Sequence, residues 1–458
     1  MKETIQKKLS DSPVARWTAL VLLASAMLFA YMFVDVLSPL KSMLESQLHW
    51  DSVTYGTFTS SEYFLNVFVF FLIFAGIILD KMGVRFTAIL SGAVMVLGAS
   101  LKYFAVSEYF AGTGLEATLN SFWPSFPASA KLASLGFMIF GCGTEMAGVT
   151  VSKGIVKWFK GKEMALAMGV EMAIARLGVA FVVLISPRLA ALDAVQDVSR
   201  PVLFCTLLLL IGLINFCIYA VMDRKLEKQV GESGEEPEEP FKISDIGVLF
   251  TNKTFLIVSA LCVLYYSAIF PFQKYAINML ECNLGLTSIE AGDIFFYFPL
   301  GAAAITPFLG WFIDRQGKGA TMLMIGAVLM SVCHLIFALV PLTEPIAYAA
   351  IVLLGISFSL VPAALWPSVP KLVDNRCLGS AYSVIFWIQN IGLCLFPILI
   401  GYALQATNVG VTDPTQYNYT IPMLMFASLG VFAFLLGLWL KREDTKHHYG
   451  LEEPNIKK

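Results

Sequence analysis

The sequence predicts an all-α membrane protein of twelve transmembrane helices in two six-helix bundles, and three observations predict it. Hydrophobic residues make up 57% of the 458-residue chain and charged residues 14%, where an ordinary soluble domain is about a quarter charged. Twelve apolar runs are long enough to cross a hydrocarbon layer of about 30 Å at about 1.5 Å per helical residue. A charged loop pattern recurs 234 residues after its first appearance, about half the chain, which is the mark of an internal repeat.

The runs cover approximately 17–40, 57–79, 86–106, 132–152, 164–187, 201–222, 254–276, 289–313, 320–341, 346–370, 378–403 and 421–440. The first follows a polar, basic tail (1–16), is longer than a signal h-region and lacks a small-residue cleavage site, so it is expected to remain as a helix. An even number of spans puts both termini on one side. Of the 31 Lys+Arg, 24 fall in the two tails and the loops after the even-numbered spans, which are therefore expected to be cytoplasmic. The other seven are Lys41, Lys102, Lys131, Arg176, Arg188, Arg200 and Lys274; all but Arg176 lie in or beside outer loops or at outer helix ends. The resulting division is an N-terminal bundle (17–222), a cytoplasmic linker (223–253), a C-terminal bundle (254–440) and a cytoplasmic C tail (441–458). The linker contains the acidic, Pro-broken stretch Gly231–Pro240, which cannot bury apolar area and is expected to be flexible. The outer segment 107–131, with Trp123 and Phe126, is expected to cap the outer mouth.

Composition also excludes function classes. A net charge of −2 offers no general basic surface for nucleic acid. The eight cysteines are scattered, mostly inside apolar runs, without a CxxC pair or a nearby His at ligand spacing, so they read as small buried hydrophobes and no metal or cofactor is expected. Neither a Ser/His nor an HExxH constellation is present for an intramembrane enzyme.

The repeated pattern is Gly76-Ile-Ile-Leu-Asp80-Lys81-Met-Gly83-Val-Arg85 after the second span and Gly310-Trp-Phe-Ile-Asp314-Arg315-Gln-Gly317-Lys318 after the eighth. Gly76 and Gly310 are expected to let helices approach, the Asp to offer a carboxylate to a helix N-terminus or a cation, and Gly83 and Gly317 to allow a tight turn. Such contacts would latch the cytoplasmic ends of the halves in one state and release them in another; the alternative is a charged turn that merely follows the positive-inside rule. Two copies at matching places resemble the signature of the major facilitator superfamily, whose fold is two six-helix bundles around a central substrate path. A closer resemblance is carried by Tyr31–Asp35, Trp158–Glu163, Ala173–Gly178, Tyr265–Phe272, Ala364–Pro367, Leu378–Tyr382 and Ile388–Gly392, which are similar to segments of the lysosomal dipeptide transporters of that superfamily. Vertebrate members need an acidic dileucine sorting signal and the N tail shows none, so a bacterial inner-membrane relative is the expectation.

An ionisable group at mid-bilayer costs at least about 2.5–3.5 kcal/mol, so each one must face a partner or a wet cavity. Arg176, near the centre of the fifth span, and Glu145, in the fourth, lie at similar depth. They suit a zwitterion, with the guanidinium forking a carboxylate and Glu145 taking an ammonium, or else pair with each other as a structural ion pair. The resemblance implies the first assignment, because the matching positions of the dipeptide transporters line the peptide site. Glu171, five residues from Arg176, projects from a different face; the resemblance implies an amide at its position in the relatives, which marks it for specificity or coupling, against a local helix–helix hydrogen bond. Asp35 and Glu62, near the outer ends of the first two spans, are read as a proton-sharing pair or an outer gate, or as interfacially solvated.

An offset of 214 sets Arg176 on Asn390, Glu145 on Ser359, Gly178 on Gly392 and Gly141 on Gly355, so the second half carries neutral polar groups where the first carries charges. Tyr265, Tyr266, Trp366, Gln389 and Asn390 are then expected to form the far wall, although aromatics in apolar spans are often core. The leading function is a facilitative or secondary transporter of small zwitterions, most readily dipeptides, working by alternating access as a monomer in the lipid bilayer, with protons as a possible second partner. The alternatives are a carrier of small organic anions or nitrate, and a non-transporting membrane sensor on the same fold.

Overall fold

The computed structural model describes residues 9–160, 162–230, 243–374 and 378–454. The N-terminal half contains α1 (Pro13–Asp35), α2 (Lys41–Leu48), α3 (Ser52–Phe68), α4 (Phe71–Val106), α5 (Gly114–Asn120), α6 (Ala128–Phe159), α7 (Met164–Ala190) and α8 (Ser199–Val230). The C-terminal half contains α9 (Ile243–Thr251), α10 (Lys253–Leu284), α11 (Ser288–Phe295), α12 (Tyr297–Gln316), α13 (Gly319–Leu339), α14 (Glu344–Ser368), α15 (Leu378–Thr407) and α16 (Thr420–His447). Among the described residues, eleven segments are long and apolar enough to cross a membrane. The 36-residue α4 bends at Gly83 (φ 78°, ψ 168°), so it supplies the inner part of the second pass and all of the third, which with α3 makes twelve passes.

Local sequence explains several ends. Ser12 caps α1 ahead of Pro13, a residue suited to the first helical turn. Gly285 closes α10 in the left-handed region, and Thr287 with Glu290 forms the capping box that opens α11. Other ends differ from expectation. The continuous apolar run 57–79 is broken at Val69 and Phe70, the latter left-handed at φ 55°, without a Gly or Pro to announce it. The break is held from the other half: Trp387 Nε1 donates to the Val67 carbonyl at 3.0 Å, and its ring stacks on Phe70. The helix α8 runs eight residues past the expected boundary at 222, because hydropathy marks where a helix leaves the bilayer and residues 223–230 are good helix formers. There Asp223 is buried between Lys157 (2.7 Å) and the Trp158 indole (3.2 Å). The stretch Gly231–Pro240 lies outside the described residues.

Small residues set the helix crossings. A Cβ on Gly98 would meet the Gly136 carbonyl at 2.5 Å, and one on Gly143 would meet Met95 and Ser91, which is why α4 and α6 pack so intimately. The same test corrects the expectation for Gly76 and Gly310: a Cβ on either would meet nothing of another helix within 4 Å, so neither mediates a close approach in this state. The repeat at offset 214 is physical. Gly178 on α7 abuts the α1 backbone at Leu28, as Gly392 on α15 abuts Ser267 on α10, while Gly141 on α6 abuts Glu62 on α3, as Gly355 on α14 abuts Phe298 on α12.

The halves meet along α3/α15 and α7/α12, and their outer ends are closed. Lys274 on α10 donates to Asp35 of α1 at 2.8 Å, with both side chains buried. The Tyr55 hydroxyl donates to the Lys274 carbonyl at 2.8 Å, Tyr417 to Glu45 at 2.6 Å, and Arg188 pairs with Asp293. A Cβ on Gly56 would sit 2.4 Å from the Pro397 oxygen, and one on Gly401 2.4 Å from that of Ser52.

Seven of the cysteines are free thiols, and all are at least partly buried except Cys217, which is exposed on α8; Cys377 lies outside the described residues. The outer segment folds as α5 with Lys131 donating to the Leu119 and Phe122 carbonyls.

Candidate functional site

The charges of α6 and α7 point into the space between the bundles, and they do not pair with each other. Arg176 reaches α12, where its Nη1 donates to the Ala302 carbonyl at 3.1 Å and the Thr306 hydroxyl at 2.5 Å, and its guanidinium carbon lies 5.3 Å from the centre of the Phe358 ring. Glu145 reaches α15, where its Oε1 accepts from Asn390 Nδ2 at 3.3 Å. The two contacts are repeat-related: Asn390 occupies the repeat position of Arg176, and Ser359, the counterpart of Glu145, donates to the same Ala302 carbonyl that Arg176 uses. Among the described residues, neither Glu145 nor Arg176 has an opposite charge within ion-pair distance. Each holds a neutral group that a charged ligand can displace, because a hydrogen bond between two opposite charges is stronger than one between a charge and a neutral group.

The Tyr31 hydroxyl lies within electrostatic range of Glu171, Glu145, Arg176 and Glu62. Glu171 is half-buried and has no hydrogen-bond partner among the described residues. On the C-terminal side, Trp366 Nε1 donates to the Tyr266 hydroxyl at 3.2 Å, and Trp366 packs against Phe386 and Tyr382. Tyr266 in turn meets Phe270 and Phe358, so one aromatic wall extends from Arg176 to Trp366.

Two expected wall residues are elsewhere. Tyr265 is fully buried and its hydroxyl donates to the Leu323 carbonyl inside the C-terminal bundle; Gln389, 7% exposed, accepts from the Cys262 thiol. Neighbours on a helix are about 100° apart, so of Tyr265/Tyr266 and of Gln389/Asn390 only one of each can face the space between the bundles. The expected Asp35–Glu62 pair is also absent. Asp35 is taken by Lys274 and by the Ser38 hydroxyl at 3.0 Å, whereas Glu62 is buried with its Oε2 lacking any hydrogen bond. Thr306 and Lys274 are not among the expected site residues; each is a polar group in or near the end of an apolar run, and a lysine at an outer helix end is ordinary by position. An outer cavity of about 530 Å³, lined by residues that include Ser42, Glu281, Ser288 and Asp413, contains none of the central residues.

In the first of the two repeated loops Asp80 accepts from Lys153 at 2.7 Å and Arg85 pairs with Glu227, both within the N-terminal half. Gly83 and Gly317 are left-handed (φ 78° and 71°), and Arg315 lies over the Trp311 ring. A Cβ on Gly317 would collide with the backbone of Glu452 and Glu453, since the chain after α16 lies against this loop. The expected latch joins the halves in one state only, and in this outer-closed state neither the Asp80 nor the Arg85 ion pair crosses between them. Both members of the Asp80–Lys153 pair are about half exposed. Asp80→Asn is expected to cost less than about 1 kcal/mol in unfolding, the value of an exposed ion pair; a larger loss in denaturation would show that Asp80 holds more than Lys153.

The Major Facilitator Superfamily model matches residues 23–397, with a second match over 275–455. The chain belongs to the Major Facilitator Superfamily. This transporter is 26% identical over 384 residues to the lysosomal dipeptide transporter MFSD1 of Danio rerio, covering 82% of this chain and 78% of that protein. It is 30% identical to the Bos taurus protein of the same name over 72% and 68% of the two chains. Among solved structures, a bacterial homolog of the human lysosomal transporter Spinster superposes with a TM-score of 0.72 at 13% identity over 95% and 98% of the chains. The nucleoside transporter NupG gives 0.68 at 14% identity over 93% and 99%. These superpositions establish the fold.

Proposed function

We propose that the transporter carries dipeptides by alternating access, with Arg176 binding the C-terminal carboxylate and Glu145 the N-terminal ammonium. One observation carries this reading: two opposite charges face the space between the bundles, unpaired with each other, each occupied by a neutral group of the opposite half. A ligand that replaces the Thr306 and Asn390 contacts draws on both bundles at once, which is what links binding to their movement. The wall formed by Tyr266, Trp366 and Phe358 receives side chains through apolar and π faces of low specificity. Similarity to proteins named as dipeptide transporters supports the substrate class. The excess of basic residues in the tails and even loops supports cytoplasmic termini.

Of the three candidate proton carriers, Asp35 is committed to Lys274, whereas among the described residues Glu62 and Glu171 have no cation within ion-pair distance. Uptake of a labelled dipeptide into proteoliposomes of the pure protein, with equal pH on both sides, tests the proposal. Saturable uptake that unlabelled dipeptide competes for is expected. Binding without flux would make the chain a sensor, and uptake of organic anions with no effect of dipeptide would replace the substrate class.

A further inference from the structure

Two lysines converge on the last turn of α1, and they belong to different halves. Lys274, on α10, donates to the Val34 carbonyl at 3.0 Å and to Asp35 Oδ1 at 2.8 Å. Lys102, on α4, donates to the Phe33 carbonyl at 3.5 Å. The helix C-terminus is the negative end of its dipole, so cations are favoured there. Both ammonium groups also approach one ring, Phe137, at 4.1 Å for Lys102 and 6.0 Å for Lys274. The Lys102 ammonium is enclosed by Phe33, Phe58 and Phe137, is wholly buried, and among the described residues has no carboxylate within ion-pair distance. Its electrostatic neighbours are, strongest first, Lys274, Glu62, Cys205 and Asp35.

A buried cation so sparsely hydrogen-bonded is costly in this state. The cost has a use when the outer ends separate. Opening the outer face carries Lys274 away with the C-terminal bundle, and Asp35 and Glu62 would then remain on the N-terminal bundle without the lysine that pairs with Asp35 in the closed state. We infer that Lys102 is the substitute counter-ion of Asp35: Lys274 neutralises the carboxylate when the outer face is closed, and Lys102 neutralises it when the face is open. The aromatic cage holds the ammonium ready by cation–π attraction without competing as a carboxylate would.

The two lysines therefore have opposite effects on the same equilibrium, which a purely structural role for either does not produce. The test uses a cysteine-free protein carrying Ser52→Cys at the closed α3/α15 seam, labelled from outside by a membrane-impermeant thiol reagent without substrate. Lys274→Gln is expected to raise the labelling rate about tenfold or more, and Lys102→Gln to lower it by a similar factor, the scale of a lost hydrogen bond to a charged group. Equal-direction shifts, or an unchanged rate in Lys102→Gln, would overturn the inference. Should Lys102→Gln fail to fold, the comparison is made in an Asp35→Asn background, where the carboxylate needing a counter-ion is gone. There Lys102→Gln is expected to change labelling no further, and a further fall would refute the exchange. The readout involves no ligand, so its failure leaves the dipeptide reading standing.

Discussion

Arg176→Ala is expected to weaken binding of a dipeptide with a free C-terminus roughly 10- to 150-fold, the worth of a charge-assisted hydrogen bond of about 1.5–3 kcal/mol, while the matching C-terminal amide loses far less. Glu145→Ala should discriminate in the same way between free and acetylated N-termini. The selectivity follows from what each side chain now holds. Arg176 rests on a hydroxyl and a backbone carbonyl, and Glu145 on an amide, so truncating either leaves behind only neutral partners that water in the cavity can satisfy. Had the two been bonded to each other, removing one would strand a buried charge, destabilise the protein and depress every ligand alike. Titrations of the free, amidated, acetylated and doubly blocked peptides against the unmodified protein and both variants, with folding checked by thermal unfolding, separate the outcomes. Equal losses across all four forms would remove the clamp.

The depth of Glu145 and Arg176 was legible from the sequence because charge inside a long apolar run has few explanations. Their partners were not. Hydropathy and helical periodicity place a residue along and around its own helix, but the acceptor on the facing helix depends on how two bundles are rotated against each other. Thr306 and Phe358 meet Arg176 through that rotation alone. The adjacent pairs Tyr265/Tyr266 and Gln389/Asn390 show the limit from another side: composition marks both members, and helix geometry admits one. Lys274 shows a third, since a basic residue near a helix end satisfies the positive-inside count equally whether it meets water or a carboxylate of the other half. The break at Val69–Phe70 carries no Gly or Pro, and what stabilises it is the Trp387 indole of the opposite half. By contrast the repeat itself is legible in the sequence, because the glycines at offset 214 sit where neighbouring helices press close and a side chain would crowd them.

Gly56→Val is expected to hold the outer face open and to abolish most transport. The missing Cβ at this position leaves 2.4 Å to the Pro397 oxygen and 2.9 Å to the Tyr275 hydroxyl, which itself donates to that oxygen at 2.9 Å. The obstacle is backbone on α15, so a side chain on α3 can be admitted only by moving the two helices apart. Because α3 belongs to one bundle and α15 to the other, that movement is the opening of the seam and leaves the core of each bundle intact. Overpacking of this kind costs about 1–3 kcal/mol, enough to shift the balance toward the outer-open state roughly 5- to 150-fold. Gly401→Val, which would bring a Cβ to 2.4 Å from the Ser52 oxygen on the same seam, should act in the same direction. Labelling from outside should rise in both variants while flux falls and the unfolding temperature stays near that of the unmodified protein. A fall in flux accompanied by unchanged labelling and a lower unfolding temperature would mean that these glycines serve folding within a bundle, and that the α3/α15 seam is not the surface along which the halves separate.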